Sequence, residues 1–339
     1  MNLAKFPRRR YTHMETPIEP LLHLSKNLGG PTIFMKRDDL LGLTSGGNKT
    51  RKLEFLVADA LLNGADTLIT CGAIQSNHCR LTLAAAVKEG LSCHLVLEER
   101  VPNTYDPNAS GNNFLFKLLG ADQISVVPKG SNMQAAMEQV KEKLKEQGRK
   151  PYIIPGGGSN EIGATGYVAC AEEILNQSFQ NQIQIDHVVT ASGSGGTHAG
   201  LVAGFFGTNS KIPVTGVNVS RKKEEQEDLI YNLAKRVSSH VGIREELPRE
   251  AVVCFDDYVG PGYSLPTDQM IEAIQLVART EGILLDPVYS GKAMAGMIDL
   301  VRKGYFNAED QVLFVHTGGS PALYAYTDTV LNDVVLHKS

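Results

Sequence analysis

The sequence contains no tryptophan and only five cysteines in 339 residues. The cysteines show no C-x-x-C spacing, which argues against both a disulfide scaffold and a zinc site. Most of them lie in apolar strand or helix patterns, so we expect buried, reduced thiols. Histidine, cysteine and acidic residues form no group with metal-ligand spacing, and we assign no metal. The five are Cys71, Cys79, Cys93, Cys170 and Cys254.

The sequence also lacks a basic excess and any long apolar run. The formal net charge is −4, and the one basic cluster is the short "PRRRY" at residues 7–11. We therefore predict no nucleic-acid partner. No run approaches membrane-spanning length, and "THMETPIEP" follows the arginines where an export signal would need an apolar stretch. The sequence thus predicts a soluble cytoplasmic protein without a membrane partner.

Short apolar runs alternate with helical patterns almost throughout the chain. Helical patterns such as "NHCRLTLAAAVKEG" separate runs that are typical of buried strands. This alternation predicts an α/β fold with open, twisted, mostly parallel sheets and helices on both faces. The predicted strands are "DTLITCGA", "SCHLVLEE", "DQISVVP", "PYIIPGG", "DHVVTASG", "PVTGVNVS", "AVVCFDDY" and "QVLFVHTGG".

Two glycine-rich breaks, "TSGGNKT" and "PGGGSNEIGATG", divide the chain. The block between them predicts a smaller α/β domain at residues 53–159, inserted between residues 1–52 and 160–339 of a larger domain. A ligand between the domains would contact glycine-rich loops from both. The one long stretch without predicted structure, residues 99–113, is interpreted as a surface loop.

The stretch "SGGNKTRKLE" places Lys49 after two glycines and an asparagine, at a predicted helix start. A cation there is unfavourable in the field of the helix dipole. The sequence misses the phosphate motif G-x-x-x-x-G-K-S/T by one residue, because Asn48 separates Gly47 from Lys49. In addition, "IFMKRDD" leads into it as a charged run rather than a strand-to-loop transition. A solvated surface lysine is the simpler alternative.

The stretch "VVTASGSGGTHAGL" combines a strand, a loop of small residues and a helix that starts near Thr197. Such a loop directs several backbone N–H groups at one point, which suits an anion. A dinucleotide loop would need glycine in place of His198 and an acidic residue near Asn218 or Ser220. The pattern favours a single phosphate, and glycines that only permit close helix packing are the alternative.

The stretch "CGAIQSNHCR" places Ser76, Asn77 and His78 after a strand, at a helix start. Ser76 or Asn77 would cap that helix. The N–H groups beyond the cap could hold a small carboxylate by the same physics that holds a phosphate.

Two further loops contribute polar side chains. "HTGGSPALY" brings Thr317 as an uncharged hydrogen-bonding group, and Tyr263 and Tyr289 lie among glycine and proline in "VGPGYS" and "DPVYSGKA". Each tyrosine is either a packing residue or a proton donor. A phosphate site, a carboxylate site and a constrained lysine together suggest pyridoxal phosphate, with Lys49 as the amine that binds it.

Six motifs in order resemble the D-cysteine desulfhydrase and 1-aminocyclopropane-1-carboxylate deaminase family, pyridoxal phosphate enzymes of the tryptophan synthase β type. They are "SGGNKTRKLE", "GAIQSNHCR", "ASGSGGTHAG", "GPGYS", "DPVYSGKA" and "HTGGSPALY". The resemblance covers nearly the whole chain. It implies two sheets in fold type II of the pyridoxal phosphate enzymes, a small amino-acid substrate and a homodimer.

The resemblance also implies roles for single residues. Lys49 would carry the cofactor with Asn77 beside its 3′-oxygen, Lys52 would assist the phosphate loop, and Ser76 would face the substrate. Both loop tyrosines would line the reaction face. The predicted catalytic residues are Lys49, Ser76, Tyr263 and Tyr289; the cofactor-binding residues are Lys49, Lys52, Asn77, Ser194, Gly195, Gly196, Thr197 and Thr317; the substrate-binding residues are Ser76, Asn77, His78 and Ser290.

Two positions distinguish the activities of this family. The deaminases typically carry glutamate after the second tyrosine and leucine before the last Gly-Gly, where this chain has Ser290 and Thr317. Both match the desulfhydrase pattern, which implies elimination of sulfide from D-cysteine to give pyruvate and ammonia. The deaminase, a racemase and a sulfonate-eliminating lyase are alternatives within the fold. A non-catalytic nucleotide-binding protein is the alternative outside it.

Overall fold

A computed structural model describes residues 1–331, and ten strands lie in that part of the chain. The strands are β1 (Ile18–Pro20), β2 (Thr32–Lys36), β3 (Thr67–Ala73), β4 (Ser92–Glu99), β5 (Gln123–Pro128), β6 (Pro151–Ile153), β7 (His187–Ser192), β8 (Val214–Asn218), β9 (Val252–Phe255) and β10 (Gln311–Val315). All eight predicted strands are present.

Helices connect most of these strands, and none of those described is long and apolar enough to cross a membrane. They are α1 (Leu22–Leu28), α2 (Lys49–Leu62), α3 (Asn77–Lys88), α4 (Asn112–Leu118), α5 (Met133–Glu146), α6 (Glu161–Asn181), α7 (Gly196–Gly207), α8 (Lys223–Val241), α9 (Asp268–Glu281), α10 (Ser290–Arg302) and α11 (Thr327–Val330).

The strands form two sheets. The larger has the order β1-β2-β10-β7-β8-β9, and only β1 pairs antiparallel in it. The smaller, β5-β4-β3-β6, is parallel throughout. The predicted fold class, α/β with two mostly parallel sheets, is confirmed. Strands such as β10 read as continuous apolar runs because both of their faces are buried.

The interpretation of "IFMKRDD" as a charged run rather than a strand-to-loop transition is wrong. Its first residues form part of β2, which lies between β1 and β10. Lys36 is fully buried, and its ammonium donates to Glu173 at 2.5 Å and to Gln177 at 2.6 Å. A strand can hold a lysine here because α6 supplies a carboxylate and an amide that compensate its burial.

The predicted domain limits stay a prediction. Every strand of the smaller sheet lies within residues 53–159. The predicted boundary after Lys52 falls inside α2, so one continuous helix runs from the "SGGNK" turn into the smaller unit. Residues 332–339 of the predicted larger domain lie outside the described chain.

All five cysteines are free and buried, as the sequence predicts. Residues 1–331 contain no group of three or more histidine, cysteine or acidic side chains that could hold a metal ion.

The sheets place several loops at one location. α3 follows β3 of the smaller sheet and α7 follows β7 of the larger sheet, so both helices begin beyond the carboxyl ends of parallel strands. In open α/β sheets this edge is where ligands bind.

Candidate active site

Loops from both sheets enclose a cavity of about 360 Å³. Ten of the thirteen predicted site residues line it: Lys49, Ser76, Asn77, His78, Ser194, Gly195, Thr197, Tyr263, Tyr289 and Thr317. The three that do not are Lys52, Gly196 and Ser290.

A glycine turn holds Lys49 at the cavity wall. Gly46 and Gly47 have φ angles of 61° and 120°, which residues with a side chain rarely adopt. The N–H of Asn48 donates to the carbonyl oxygen of Thr317 at 3.0 Å, so the start of α2 is attached to the loop after β10. The glycines serve this close approach, because a Cβ on Gly47 would lie 3.2 Å from the same oxygen.

Asn48 links the lysine to the glycine-rich loop. Lys49 Nζ donates to Asn48 Oδ1 at 2.9 Å, and Asn48 Nδ2 donates to Thr197 Oγ1 at 2.8 Å. Burial lowers the pKa of Lys49 to about 8; the carboxylate of Asp286 opposes the shift and the Arg80 cation adds to it. The amine is therefore available as a nucleophile closer to neutral pH than an ordinary lysine. Sequence reasoning assigned no role to Asn48.

The start of α7 forms a positively polarised pocket. The N–H of Gly196 donates to Ser159 Oγ at 3.1 Å, and Ser159 Oγ lies 2.8 Å from Ser194 Oγ. Lys52 Nζ lies 3.3 Å from Ser159 Oγ and donates to the carbonyl of Gly157 at 3.0 Å. Sequence reasoning missed Ser159, because "PGGGSN" reads as a break between domains rather than a binding loop.

This pocket fits a phosphate. Lys52 is buried, and no carboxylate among residues 1–331 forms an ion pair with it. Its pKa lies well below the usual value, first because of burial and then because of the nearby Lys49 charge. A bound anion would compensate both effects. A Cβ on Gly196 would lie 2.9 Å from Lys52 Nζ, so the pocket depends on bare backbone there.

The start of α3 offers a second set of donors. Ser76 caps the helix by accepting from the N–H of Cys79 at 3.1 Å, which confirms the predicted cap. Asn77 Oδ1 accepts from Arg80 at 3.1 Å and from Asn112 at 2.9 Å, so the Asn77 amide nitrogen remains a donor. In the described chain the backbone N–H groups of the first two helical residues have no acceptor, which suits a carboxylate.

His78 is a neutral member of the wall. Its Nε2 lies 2.7 Å from Thr70 Oγ1. Burial, followed by the charges of Lys49 and Lys52, holds the pKa of His78 well below its usual value. The imidazole thus adds no third positive charge beside the two lysines.

The two tyrosines form a pair. Their hydroxyl groups hydrogen-bond to each other, and their rings meet edge to face with centroids 5.7 Å apart. Lys49 Nζ lies 5.9 Å from the ring centroid of Tyr289. Burial raises the pKa of Tyr263 and of Tyr289, so both phenols keep their protons near neutral pH. Lys292 fixes the loop before Tyr263 by donating to two of its carbonyl oxygens at 2.7 and 2.8 Å.

The structure does not bring Ser290 to the cavity wall. Its hydroxyl accepts from the N–H of Asp286 at 2.7 Å and donates to Asp286 Oδ1 at 2.8 Å. The same carboxylate accepts from the N–H groups of Val288 and Tyr289, each at 3.1 Å. Ser290 and Asp286 therefore fix the turn that carries Tyr289. A substrate contact of Ser290 stays a prediction, and sequence reasoning missed Asp286.

Part of the predicted surface loop lies in the cavity wall. Glu98 and Arg100, at the end of β4, both line it, and the Arg100 side chain is 35% exposed. Its guanidinium carbon lies 3.9 Å from the ring centroid of Tyr263. Most of residues 101–110 are exposed, as the surface-loop interpretation predicts, but Arg100 also lies in the cavity wall. No local motif marks this residue, because its partner comes from the other sheet.

Comparisons with known proteins agree with this geometry. Residues 10–318 match the family model described as pyridoxal-phosphate dependent enzyme. The chain is 46% identical over 326 residues to a D-cysteine desulfhydrase of Serratia proteamaculans (strain 568), covering 96% of this chain and 97% of that protein. A crystal structure described as an ACC deaminase homologue matches with a TM-score of 0.87 at 40% identity, covering 97% of each chain. The resemblance seen in six motifs is confirmed: this chain belongs to the family of pyridoxal-phosphate dependent enzymes.

Proposed function

We propose that this enzyme eliminates sulfide from D-cysteine, with pyruvate and ammonia as the other products. The observation that carries the proposal is 46% identity to a D-cysteine desulfhydrase along 96% of the chain. Thr317 in the cavity wall supports the same choice. It offers a hydroxyl where the family's deaminases typically have leucine.

Each residue of the site has a separate role in this proposal. Bound pyridoxal phosphate supplies an aldehyde that reacts with amines and a ring that accepts electrons from Cα. Lys49 would hold the cofactor through its amine, and the start of α7 with Lys52 and Ser159 would hold its phosphate. Asn77 Nδ2 is the donor for the ring oxygen. Ser76 and the free N–H groups of α3 bind the substrate carboxylate.

Two groups handle protons in this proposal. Lys49 Nζ removes the Cα proton, and its lowered pKa, about 8, suits a base near neutral pH. The Tyr263 and Tyr289 pair is neutral and donates a proton to the leaving sulfur. The walls come from both sheets, so the reacting atoms lie between the two sheets.

The capture of pyridoxal phosphate by the apoenzyme should accelerate as pH rises, with a midpoint near pH 8. Burial lowers the pKa of Lys49 to about 8, so the neutral amine that attacks an aldehyde predominates above that pH. Stopped-flow absorbance between about pH 6 and about pH 10 measures the rate. A rate that continues to rise through the range of an ordinary lysine would contradict the lowered pKa.

Replacing Thr317 by valine should lower turnover of D-cysteine by about 10-fold while leaving the fold stable. Its hydroxyl makes no hydrogen bond within residues 1–331, so it is free for the cofactor ring. The matched variant Ser290→Ala removes a hydroxyl that the protein itself uses, and should cost about 1–2 kcal/mol of unfolding free energy. Steady-state rates and thermal unfolding separate the two effects. Equal rates for the parent and Thr317→Val would show that the Thr317 hydroxyl does not contribute to turnover.

A substrate panel tests the activity itself. We expect sulfide from D-cysteine and little 2-oxobutanoate from aminocyclopropane carboxylate. Sulfite from sulfonated amino acids and inversion of chirality test the lyase and racemase alternatives. Ring opening as fast as D-cysteine consumption would show that Ser290 and Thr317 do not set the reaction. The double variant Ser290→Glu with Thr317→Leu is a poor test, because the glutamate would be buried against Asp286.

The predicted homodimer belongs to the same proposal and rests on the family resemblance. Light scattering of the purified protein should give twice the mass of one chain. The cytoplasmic location stays a prediction from the sequence.

A further inference from the structure

Arg100 connects the end of one sheet to a tyrosine held by the other. It follows β4 of the smaller sheet, and its guanidinium carbon lies 3.9 Å from the ring centroid of Tyr263. Tyr263 belongs to the loop between β9 of the larger sheet and α9. Because the hydroxyl of Tyr263 hydrogen-bonds to Tyr289, one cation lies beside a pair of phenols in the cavity wall.

Glu98 sets the direction of this guanidinium. Its Oε2 accepts from Arg100 Nε at 2.7 Å, and its Oε1 accepts from the N–H of Gly130 at 3.0 Å. Within the described chain, the two terminal nitrogens of Arg100 donate no hydrogen bond. Protein acceptors therefore do not saturate the cation, and the guanidinium contacts the ring of Tyr263 in addition to Glu98.

The charges around the two phenols act in opposite directions. Burial raises the pKa of Tyr263, whereas the Arg100 cation and the hydrogen bond with Tyr289 lower it, and Asp286 and Cys79 raise it. Burial and Tyr263 raise the pKa of Tyr289, and Arg100 again lowers it. Three further titratable groups face the pair: Lys49 from α2, Glu98 from β4 and Tyr326 from the C-terminal segment.

We propose that Arg100 is a positioning residue: it holds Tyr263 across the two sheets and stabilises the negative charge left when the tyrosine pair gives up a proton. The proton moves from a phenol oxygen to the leaving sulfur, and the guanidinium stays protonated. The cation acts on the phenol at short range, because its guanidinium carbon lies 3.9 Å from the ring centroid, although solvent partly screens a side chain that is 35% exposed. The kinetic part rests on the proposed function, whereas the effect on tyrosine ionisation does not.

The first experiment follows tyrosine ionisation in the holoenzyme by nuclear magnetic resonance. The ring carbon that bears the hydroxyl is labelled with carbon-13, and Tyr263→Phe assigns the signal. We expect the ionisation of Tyr263 to move up by about one pH unit in Arg100→Gln and by less in Arg100→Lys. Arg221→Gln, which removes a wall arginine bonded to the carbonyl of Gly193 at 2.9 Å, should leave it unchanged. Circular dichroism defines the pH range in which each protein stays folded.

The second experiment is a double-mutant cycle on turnover. Arg100→Gln should lower kcat for D-cysteine by about 10-fold and change KM by less than about 3-fold. In the Tyr263→Phe background the same substitution should lower kcat by less than about 2-fold, because its target is gone. Arg100→Lys should recover part of kcat, since it restores the charge without the planar contact.

The outcomes separate the two proposals. An unchanged or lower ionisation pH of Tyr263 in Arg100→Gln overturns the role of Arg100 whatever the substrate is. If Arg100→Gln lowers kcat equally in the parent and in the Tyr263→Phe background, Arg100 does not act through Tyr263. A shifted ionisation in an enzyme that does not consume D-cysteine overturns the proposed function and supports the role of Arg100.

Discussion

The Lys49→Ala variant is expected to lose the visible absorbance of the lysine-bound cofactor and at least about 1,000-fold of its turnover. The reason is geometric and chemical. Lys49 lines the cavity, and burial lowers its pKa to about 8. The glycine turn and the hydrogen bond to Asn48 leave its amine one location, next to the start of α7. Lys49→Arg should not restore activity, because a guanidinium does not lose its proton.

Lys52 and Lys292, two of the three buried lysines in the described chain, make this a test that can tell Lys49 from its neighbours. Lys52 donates to the carbonyl of Gly157 at 3.0 Å and does not line the cavity. Lys292 resembles Lys49 more closely, since burial also lowers its pKa to about 8, but its ammonium holds the carbonyl oxygens of Val259 and Gly262. Lys292→Met is therefore the matched control, and it should keep the visible band.

The measurement combines spectroscopy and peptide mapping. Borohydride reduction of the parent holoenzyme should attach the cofactor permanently to the peptide that contains Lys49. The absorbance spectrum of each variant is recorded after cofactor addition and removal of the excess. A cofactor label on Lys292 or Lys52, or sulfide release by Lys49→Ala at the parent rate, would contradict the assignment.

The second large effect is expected from Gly196→Val, which should weaken cofactor binding by about 100-fold while the apoenzyme stays folded. A Cβ at this position would lie 2.8 Å from Ser159 Oγ and 2.9 Å from Lys52 Nζ. The side chain would push both groups away from the place of the phosphate. Gly195→Val should also weaken binding, but its φ of 95° adds backbone strain. Gly196 is the cleaner test, because its φ is not positive.

A second glycine of the same helix provides the control. Gly204 packs against α6, where a Cβ would lie 3.2 Å from the Cα of Val168. Gly204→Val should therefore lower the melting temperature without a comparable change in cofactor affinity. Cofactor dissociation constants, measured beside thermal unfolding of both apoenzymes, compare the two. If Gly196→Val lowers the melting temperature and leaves cofactor affinity unchanged, the loop glycines serve helix packing instead.

Local sequence patterns were sufficient to predict many of the strands and binding loops of this protein. A buried parallel strand needs apolar residues on both faces, so eight strands are visible as apolar runs. Loops that expose backbone N–H groups to an anion need glycine and a helix start directly after a strand, which a short motif displays. Ser76 and the loop at Thr197 were predicted for that reason.

The roles of other residues could not be predicted from the sequence, because these roles depend on partners far along the chain. Lys36 is tolerated in a buried strand because Glu173 and Gln177 accept from its ammonium, and "IFMKRDD" contains no sign of either partner. Ser159 joins the phosphate pocket through Lys52 and Gly196.

The sequence by itself determined the fold class, the family and the identity of the cofactor, because these depend on periodicity and on short motifs whose residues act together locally. The tertiary structure decided which polar side chains share one cavity. It brought Arg100 to Tyr263, and it kept Ser290 away from the wall by pairing it with Asp286. The physical reason is that hydrogen bonds and charge interactions act over a few ångströms in space. The folded sheets, rather than neighbouring positions in the chain, determine which groups come that close.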